Sequence, residues 1–311
     1  MSTEIRNNNN SIAVLIPSYD RPQILKMTLR SWLKANFVDK VFVVAQASSS
    51  DILKKYEEII NRYNKNDQIV YKLVLKKLGS VKARNALLEM ASMYSCNYVV
   101  MADDDYLLPD KNSLVIMARK LDLDNKFGAI GGKVVVINRR RTDPDFFLNL
   151  PMNLADLLSR LSGYIFLDIK HGPRFSEFLP PFFMIKRSIL NNLRYDEIMS
   201  APTGFREESD FQLQIKRLGY RLLYDPEVYV IHLTIEEGGN RPKISMGERM
   251  YWKARNHTIF ILKWNKSTLK RVWYIVFSVL ILFLYRIWHV PWILRGVKDG
   301  MRTALRVCSK I

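Results

Sequence analysis

Three adjacent carboxylates stand directly after a short apolar run, 98–102. Asp103, Asp104 and Asp105 repel one another at close range, and a bound cation relieves that repulsion. Carboxylate oxygens are hard ligands suited to Mn²⁺ or Mg²⁺, which proteins often share with the phosphates of a substrate. In an extended chain Asp103 and Asp105 point to the same side. The triple therefore indicates a metal site, while a solvated loop or a helix N-cap at Asp105 or Asp110 is the other interpretation.

A second acidic group, Glu207, Glu208 and Asp210, opens the helical run 211–218. Acidic side chains in the first turn of a helix are stabilised by the helix dipole, so ordinary capping explains this group without any chemistry. A buried carboxylate, however, has a raised pKa and can take a proton from a reacting hydroxyl. From the residues alone, both interpretations stay open.

The elements that must position these acids form an alternating series of strands and helices. Apolar runs predict strands over 12–16, 41–45, 69–75 and 98–102, and helical spacing predicts helices over 22–35, 52–63 and 80–94. Such alternation is typical of a parallel sheet with helices on both faces, which binds ligands at the carboxyl ends of its strands. Five more polar or turn residues fall at those ends: Pro17, Ser18, Tyr19, Asp20 and Gln46.

The composition indicates a large folded chain. Its 311 residues are 48% hydrophobic and 12% aromatic, which excludes wholesale disorder, and two cysteines exclude a disulfide-stapled scaffold. Neither GxxxxGK[ST] nor a GxGxxG after the first strand is present. The pattern changes near 139–141, so we predict a polar tail over 1–11, a ligand-binding half over 12–138, a second half over 139–242 and a basic region over 243–311. The tail lacks the apolar core of a signal peptide, which predicts synthesis without secretion.

The basic region contains 14 Lys and Arg residues and two acidic residues. Its net charge is therefore two-thirds of the +18 of the whole chain. Within it, 272–285 is uncharged but would span only about 21 Å as a helix, against about 30 Å for a bilayer core. Further on, 294–305 combines an apolar stripe with a basic face, although Gly296 and Gly300 weaken the helix prediction. This pattern favours helices lying in an anionic lipid surface over a true span. A core helix packed on the rest of the chain is the alternative.

Taken together, these segments resemble the inverting GT-A glycosyltransferases of the family-2 type, with a tail similar to that of rhamnosyltransferase-like bacterial members. The similarity runs from about 11 to 302, in the order usual for the family. The segments that carry it are IAVLIPSYDRP (12–22), KLGSVKARNA (77–86), DDDYLLP (103–109), YDE (195–197) with EESDF (207–211), RLGY (217–220), YWKARN (251–256) and RGVKDG (295–300).

The resemblance implies a fold and a set of roles. The fold would be α/β, a Rossmann-like and mostly parallel sheet with helices on both faces, plus membrane-associating C-terminal helices. Asp103, Asp105 and His232 would hold Mn²⁺ or Mg²⁺, while Asp104 would face the ribose and Arg84 would lie near the acidic loop or the diphosphate. The remaining donor-binding positions would be Pro17, Ser18, Tyr19, Asp20 and Gln46.

Two positions depart from the family pattern. Gln46 stands where members usually carry an Asp that accepts the imide N–H of uracil, and an amide can both accept and donate. Glu208 stands where the catalytic Asp is usual, so the base would be one methylene longer. Asp210 is the substitute if Glu208 points away.

The implied reaction moves a sugar from a nucleotide-diphosphate sugar to a hydroxyl of a glycan or lipid-linked acceptor, with inversion. The half over 139–242 would bind the acceptor, guided by the apolar segment within 139–178. The expected location is the cytoplasmic side of the membrane, peripheral or monotopic, with no nucleic-acid partner. The alternatives are a sugar nucleotidyltransferase on a similar fold, which would usually show a Gly-rich loop after the first strand, a nucleic-acid-binding protein suggested by charge alone, and a non-catalytic scaffold.

Overall fold

The computed structural model describes residues 11–136, 172–202, 204–233, 239 and 244–308. Its strands are β1 Ile12–Tyr19, β2 Val38–Gln46, β3 Ile69–Val74, β4 Tyr98–Met101, β5 Tyr106–Leu107, β6 Phe127–Val136, β7 Arg174–Phe175, β8 Phe183–Lys186 and β9 Arg221–His232. Its α-helices are α1 Pro22–Leu33, α2 Ser50–Tyr63, α3 Ser80–Ser92, α4 Ser113–Asp122, α5 Glu207–Arg217, α6 Met246–Trp264, α7 Thr268–Tyr285 and α8 Val290–Cys308. All seven elements predicted between 12 and 102 are present.

One predicted boundary is wrong. Pro17 was expected to end the first strand at Ile16, but β1 continues to Tyr19 and pairs in parallel with β2 along its whole length. On its other side, β1 pairs with β4 only as far as Leu15. Beyond that point one edge of the strand has no ladder partner, and there a proline's missing N–H is tolerated.

The described strands form one nine-stranded sheet in the order β3-β2-β1-β4-β8-β6-β9-β5, with β7 alongside β9. Pairing is parallel among β1 to β4, whereas β8 runs antiparallel between β4 and β6. The sheet takes strands from both sides of the predicted boundary at 138/139, so the two predicted halves share one framework. The predicted acceptor segment within 139–178 lies mostly outside the described residues.

Both faces of the sheet are covered, as predicted. One apolar cluster joins the sheet to α1, α2 and α4 through residues such as Trp32, Tyr56 and Leu114. A second joins the opposite face to α3 and α5 through residues such as Leu87 and Phe211. Burial on both faces is what makes the strands nearly continuous in apolar residues.

The three C-terminal helices share a small core of their own, built around Met250, Ala254, Leu282 and Ile293. The helix predicted over 294–305 forms, and it extends over Val290–Cys308 despite its two glycines. A Cβ at Gly296 would lie 2.4 Å from the carbonyl oxygen of Tyr251, and one at Gly300 would lie 2.6 Å from that of Arg255. The glycines are therefore a packing requirement, because they let the backbone of α8 approach that of α6.

Among the described helices, none is by itself long and apolar enough to cross a bilayer. Thr268–Leu284 and Ile287–Arg306 meet the length and hydropathy requirement only as a pair, and that pair is bent by 118°.

Candidate active site

The carboxyl end of β1 meets the acidic loop through Ser18. Its Oγ donates to Oδ2 of Asp104 at 2.6 Å and lies 2.6 Å from the hydroxyl of Tyr56 on α2. All three side chains are buried, so water does not compete for these hydrogen bonds. The predicted meeting of the first and fourth strand ends therefore occurs, and the carboxyl end of β1 holds Asp104.

A buried arginine balances the charge of the acidic loop. Nη1 of Arg21 lies 3.0 Å from Oδ2 of Asp105 and 3.4 Å from Oδ1 of Asp104, with all three side chains at most 8% exposed. Burial and the neighbouring charge of Asp105 nevertheless raise the pKa of Asp104 to about 7, against the opposing effect of Arg21. Adjacent buried carboxyl groups of this kind suit a cationic ligand.

Asp105 faces His232, the last residue of β9. Oδ2 of Asp105 and Nε2 of His232 lie 3.2 Å apart because β5 pairs antiparallel with β9, opposing Tyr106 to His232. Across the described ranges, no three His, Cys, Asp or Glu side chains gather as a metal group. Asp105 and His232 provide one oxygen and one nitrogen, and Mg²⁺-type sites are commonly completed by substrate phosphates and water. These two residues fit such a partial site.

Asp103 is paired with Arg84, which the sequence placed near the acidic loop. Its Oδ1 accepts from Nη2 of Arg84 at 2.7 Å, so it faces α3 rather than joining Asp105 and His232. The same nitrogen lies 3.0 Å from Oε1 of Glu208. The guanidinium is buried, and its Nε and Nη1 find no hydrogen-bond partner among the described residues. Arg84 thus bridges the acidic loop and the first turn of α5.

The first turn of α5 presents two buried carboxyls with different surroundings. Burial raises the pKa of Glu208, with Arg84 opposing the shift and Asp103 adding to it. Glu207 accepts from Oγ of Ser80 at 3.2 Å, and burial together with the charge of Glu208 raises its pKa to about 8. Glu208 is the better placed of the two for chemistry, because its side chain is 16% exposed and faces the acidic loop.

Asp210 points elsewhere. Its Oδ1 accepts from Nε1 of Trp264 at 2.7 Å and lies 2.8 Å from Nζ of Lys263, while its side chain is fully buried. The carboxylate therefore ties α5 to the C-terminal end of α6. This bonding leaves Asp210 in a structural position, and Glu208 alone of the two candidate bases lies beside Arg84 and Asp103.

The other predicted donor-binding residues lie around the end of β1 and β2. Gln46 is buried, and its Oε1 accepts the backbone N–H groups of Leu78 and Gly79 at 2.8 and 3.2 Å. Gln46 therefore fixes the turn that precedes α3, and its amide oxygen is already used by the backbone. Tyr19 has the ammonium of Lys77 5.0 Å above its ring. Pro17 pairs within the ladder beside Val44, and Asp20 accepts from the N–H of Ser48 at 2.8 Å.

Three site residues received no role from the sequence. Arg21 belongs to the segment 12–22, which was interpreted only as a strand followed by a turn. Its sequence position did not indicate contact with the acidic loop. Tyr56 lies within the helix predicted over 52–63, and no motif distinguishes it there. Arg206 precedes the acidic group directly, and its left-handed backbone, with φ of 72°, has no sequence signature.

The sheet, the acidic loop and the paired acids of α5 define a GT-A glycosyltransferase. A family model described as "Glycosyltransferase like family 2" matches residues 9–252, and the chain belongs to that family. It is 22% identical over 267 residues to the probable glycosyltransferase YdaM of Bacillus subtilis, covering 84% of this chain and 59% of that protein. The chain thus spans about three-fifths of that relative.

Solved structures share the fold at low identity. One is TarS 1-349 of S. aureus in complex with UDP-GlcNAc, with a TM-score of 0.63, 16% identity, and coverage of 94% of this chain and 81% of that one. Another is the mannosyltransferase PcManGT of Pyrobaculum calidifontis in complex with GDP-Man and Mn²⁺, with a TM-score of 0.57, 15% identity, and coverage of 98% and 80%. At these identities the likeness shows the fold alone.

Proposed function

We propose that this glycosyltransferase is metal-dependent and inverting, moving a sugar from a nucleotide-diphosphate sugar to a hydroxyl of a glycan or lipid-linked acceptor. The observation that carries the proposal is the bridge made by Arg84, whose Nη2 lies 2.7 Å from Asp103 and 3.0 Å from Glu208. It brings the acidic loop at the sheet edge and a candidate base within reach of one reacting centre, the arrangement that in-line displacement requires.

The donor would bind across the ends of β1, β2 and β4. Ser18, Tyr19 and Asp104 line this edge, and solved neighbours hold GDP-Man or UDP-GlcNAc. Gln46 is committed to the backbone at Leu78 and Gly79, so it supports the pocket from behind. Because that amide oxygen is occupied, base recognition falls to other groups.

Asp105 and His232 would hold Mn²⁺ or Mg²⁺. Such an ion supplies Lewis-acid stabilisation of the negative charge on a departing diphosphate. Arg84 lies next to Asp103, and its Nε and Nη1 are unpaired among the described residues, which supports an additional acceptor such as a phosphate oxygen there. Buried cations aimed at developing negative charge are an effective form of transition-state stabilisation.

Glu208 would serve as the general base. Burial raises its pKa, which makes the carboxylate a stronger proton acceptor than an exposed glutamate. In a single displacement the acceptor oxygen bonds to the anomeric carbon as the bond to the β-phosphate oxygen breaks. The nucleoside diphosphate leaves with that electron pair, the hydroxyl proton passes to Glu208, and the anomeric configuration inverts.

A lipid surface is the partner we propose for α7 and α8. One stripe of α7 is apolar and exposed at Leu269, Val272, Trp273, Val276, Leu280 and Leu284. Trp288 is 89% exposed in the connecting turn, and the side chains of Arg295 and Arg302 on α8 are 69% and 63% exposed on either side of Asp299. Aromatic and aliphatic side chains beside basic ones suit an anionic bilayer interface. The helices would place the enzyme on the cytoplasmic side of the membrane.

A donor-hydrolysis screen tests the activity. Purified protein would be incubated with UDP-, dTDP- and GDP-sugars in Mn²⁺ or EDTA, and released nucleoside diphosphate would be measured. We expect metal-dependent release from one donor class and its loss in Asp105→Ala. Release that EDTA leaves unchanged would overturn the metal proposal, and absence of both release and nucleotide binding would overturn the donor proposal.

A further inference from the structure

Arg206 has an unusual backbone at the entrance to the first turn of α5. Its φ of 72° and ψ of −5° place a non-glycine residue in the left-handed region, one position before Glu207. Such a conformation is unfavourable for a long side chain and persists only where the surrounding structure imposes it. The carbonyl of Arg206 also accepts the N–H of Asp210 at 2.9 Å, the first hydrogen bond of the helix. The orientation of this residue therefore fixes where the helix starts.

The side chain of Arg206 is held on every side. It is 4% exposed, and its guanidinium lies 5.4, 5.6 and 4.8 Å from the ring centroids of Phe178, Phe205 and Phe260. Contacts of this kind combine apolar packing with attraction between a cation and an aromatic face. A buried guanidinium needs hydrogen-bond acceptors as well.

One acceptor comes from α6. Nε of Arg206 donates to Nδ1 of His257 at 3.1 Å, and Nη1 donates to Oγ of Ser209 at 3.3 Å. Arginine only donates, so Nδ1 of His257 carries no proton and the imidazole is neutral with its proton on Nε2. His257 is 2% exposed, and this bond ties α6 to the residue that starts α5.

Neighbouring residues of α6 hold the rest of the segment that leads to the acids. Nδ2 of Asn256 donates to the carbonyls of Met199 and Phe205 at 2.7 and 3.1 Å. Trp264 and Lys263 hold Asp210 on the far side of the first turn. Because α6 forms hydrogen bonds to residues on both sides of Glu208 in the sequence, the position of the Glu208 carboxylate depends on α6.

We infer that Arg206 and His257 are positioning residues for the transfer reaction. Their bond holds the first turn of α5 so that Glu208 faces Arg84 and the acidic loop, and this inference rests on the proposed role of Glu208 as base. Displacing a reacting group by about 1 Å costs roughly a hundredfold in rate, so a loosened turn should act on turnover more than on donor affinity.

Substitutions at His257 test the inference in the full chain. Asn places Oδ1 as many bonds from the backbone as Nδ1 of histidine and keeps an acceptor, whereas Leu keeps bulk without one. We expect His257→Leu to lower kcat by roughly ten- to a hundredfold with the donor KM within about twofold, and His257→Asn to recover most of the loss. The donor would be the sugar nucleotide that gives the fastest release in the screen.

Hydrogen exchange gives a readout independent of turnover. Amides of 204–210 should exchange faster in His257→Leu, while those of β1 and β4 stay protected. Arg206→Gly is a second variant, because glycine accepts the left-handed backbone, so the side chain is removed without backbone strain. It should show the same local change in exchange.

Glu208→Gln separates the two proposals. If Glu208→Gln is inactive but His257→Leu keeps wild-type kcat and exchange, the positioning role is wrong and the base assignment stands. If His257→Asn is as impaired as His257→Leu and the exchange increase spreads over the whole sheet, His257 is merely structural. If Glu208→Gln keeps full activity, the base assignment and this inference both fail.

Discussion

Oε1 of Glu208 lies 3.0 Å from Nη2 of Arg84, and these side chains are only 16% and 4% exposed. The pair joins the first turn of α5 to α3, and through Asp103 to the loop after β4. Glu208 is therefore the acid that the fold directs toward the edge of the sheet where donors bind in α/β proteins.

Glu208→Gln should lower the transfer rate by about 10²–10⁴-fold while leaving donor binding nearly intact, since the amide keeps the shape but takes no proton. Steady-state rates and nucleotide titration would measure both. Asp210→Asn is the matched comparison: it removes a charge facing Lys263 and Trp264, so its main effect should be a lower melting temperature. A greater loss of turnover in a well-folded Asp210→Asn than in Glu208→Gln would reverse the assignment.

Mn²⁺ binding should depend on Asp105 and His232 more than on Asp103. Calorimetric titration of Mn²⁺ in the presence of a nucleoside diphosphate should show at least tenfold weaker binding in Asp105→Asn and His232→Ala. Asp103→Asn should bind the ion nearly as well, because that side chain faces Arg84 on α3, whereas Asp105 faces His232. Equal losses in all three variants would contradict this prediction and support the three-ligand site predicted from the sequence.

The protein should lose stability as the pH rises toward about 8, in part through Glu207. Burial, followed by the charge of Glu208, raises the pKa of Glu207 from 4.5 to about 8, so the folded state binds more protons than the unfolded state between those values. The resulting contribution to folding stability is fully present below the pKa of Glu207 in the unfolded state. It is lost as the pH rises through the pKa of Glu207 in the folded state. Melting curves of the wild type and Glu207→Gln at about pH 5.5 and about pH 8.5 would test this. The variant should gain relative stability at the higher pH, and an equal shift at both values would contradict the prediction.

Trp288→Ser combined with Trp292→Ser should weaken vesicle binding. Both indoles are exposed beside basic residues, so sedimentation with anionic phosphatidylglycerol vesicles should fall by at least about fivefold. Leu123→Ser, at an exposed position on the catalytic fold, is the control and should bind like wild type. Binding should also weaken with salt, because part of the attraction is electrostatic. Unchanged binding in the double variant would exclude this face as the docking surface.

Gly300→Val should destabilise the C-terminal helices by roughly 1–3 kcal/mol. The new Cβ would lie 2.6 Å from the carbonyl oxygen of Arg255, a backbone atom that cannot turn aside. Urea unfolding would measure the change in the free energy of unfolding. Met301→Val, on the exposed side of the same helix, should have little effect, and similar losses in both variants would point to helix propensity instead of packing.

The fold was predictable because its strands are apolar and its helices amphipathic, signals that are local in sequence. The sheet edge was also predictable, since Ser18 and Asp104 follow strands that a parallel topology must bring together. Their contact at 2.6 Å confirms this expectation.

The pairing of the charged side chains was only partly predictable. The sequence placed Arg84 near the acidic loop and grouped His232 with Asp105, but it gave no sign that Arg84 would pair with Asp103 or that Arg21 would pair with Asp105. Glu208 and Asp210 both open one helix, and only the distant Lys263 and Trp264 distinguish them. Such choices depend on tertiary distances, which neither spacing nor periodicity encodes.

The close crossing of α6 and α8 at Gly296 and Gly300 leaves no compressible side chain between their backbones. In the proposed lipid-bound state, contacts between helix backbones would therefore set the height of α5 above the bilayer, since α6 also holds Asp210 of α5. A lipid-linked acceptor would have to present its hydroxyl at that height. The length of the acceptor, from its membrane anchor to its reacting sugar, would then become a criterion of substrate selection that needs no sugar-specific contact.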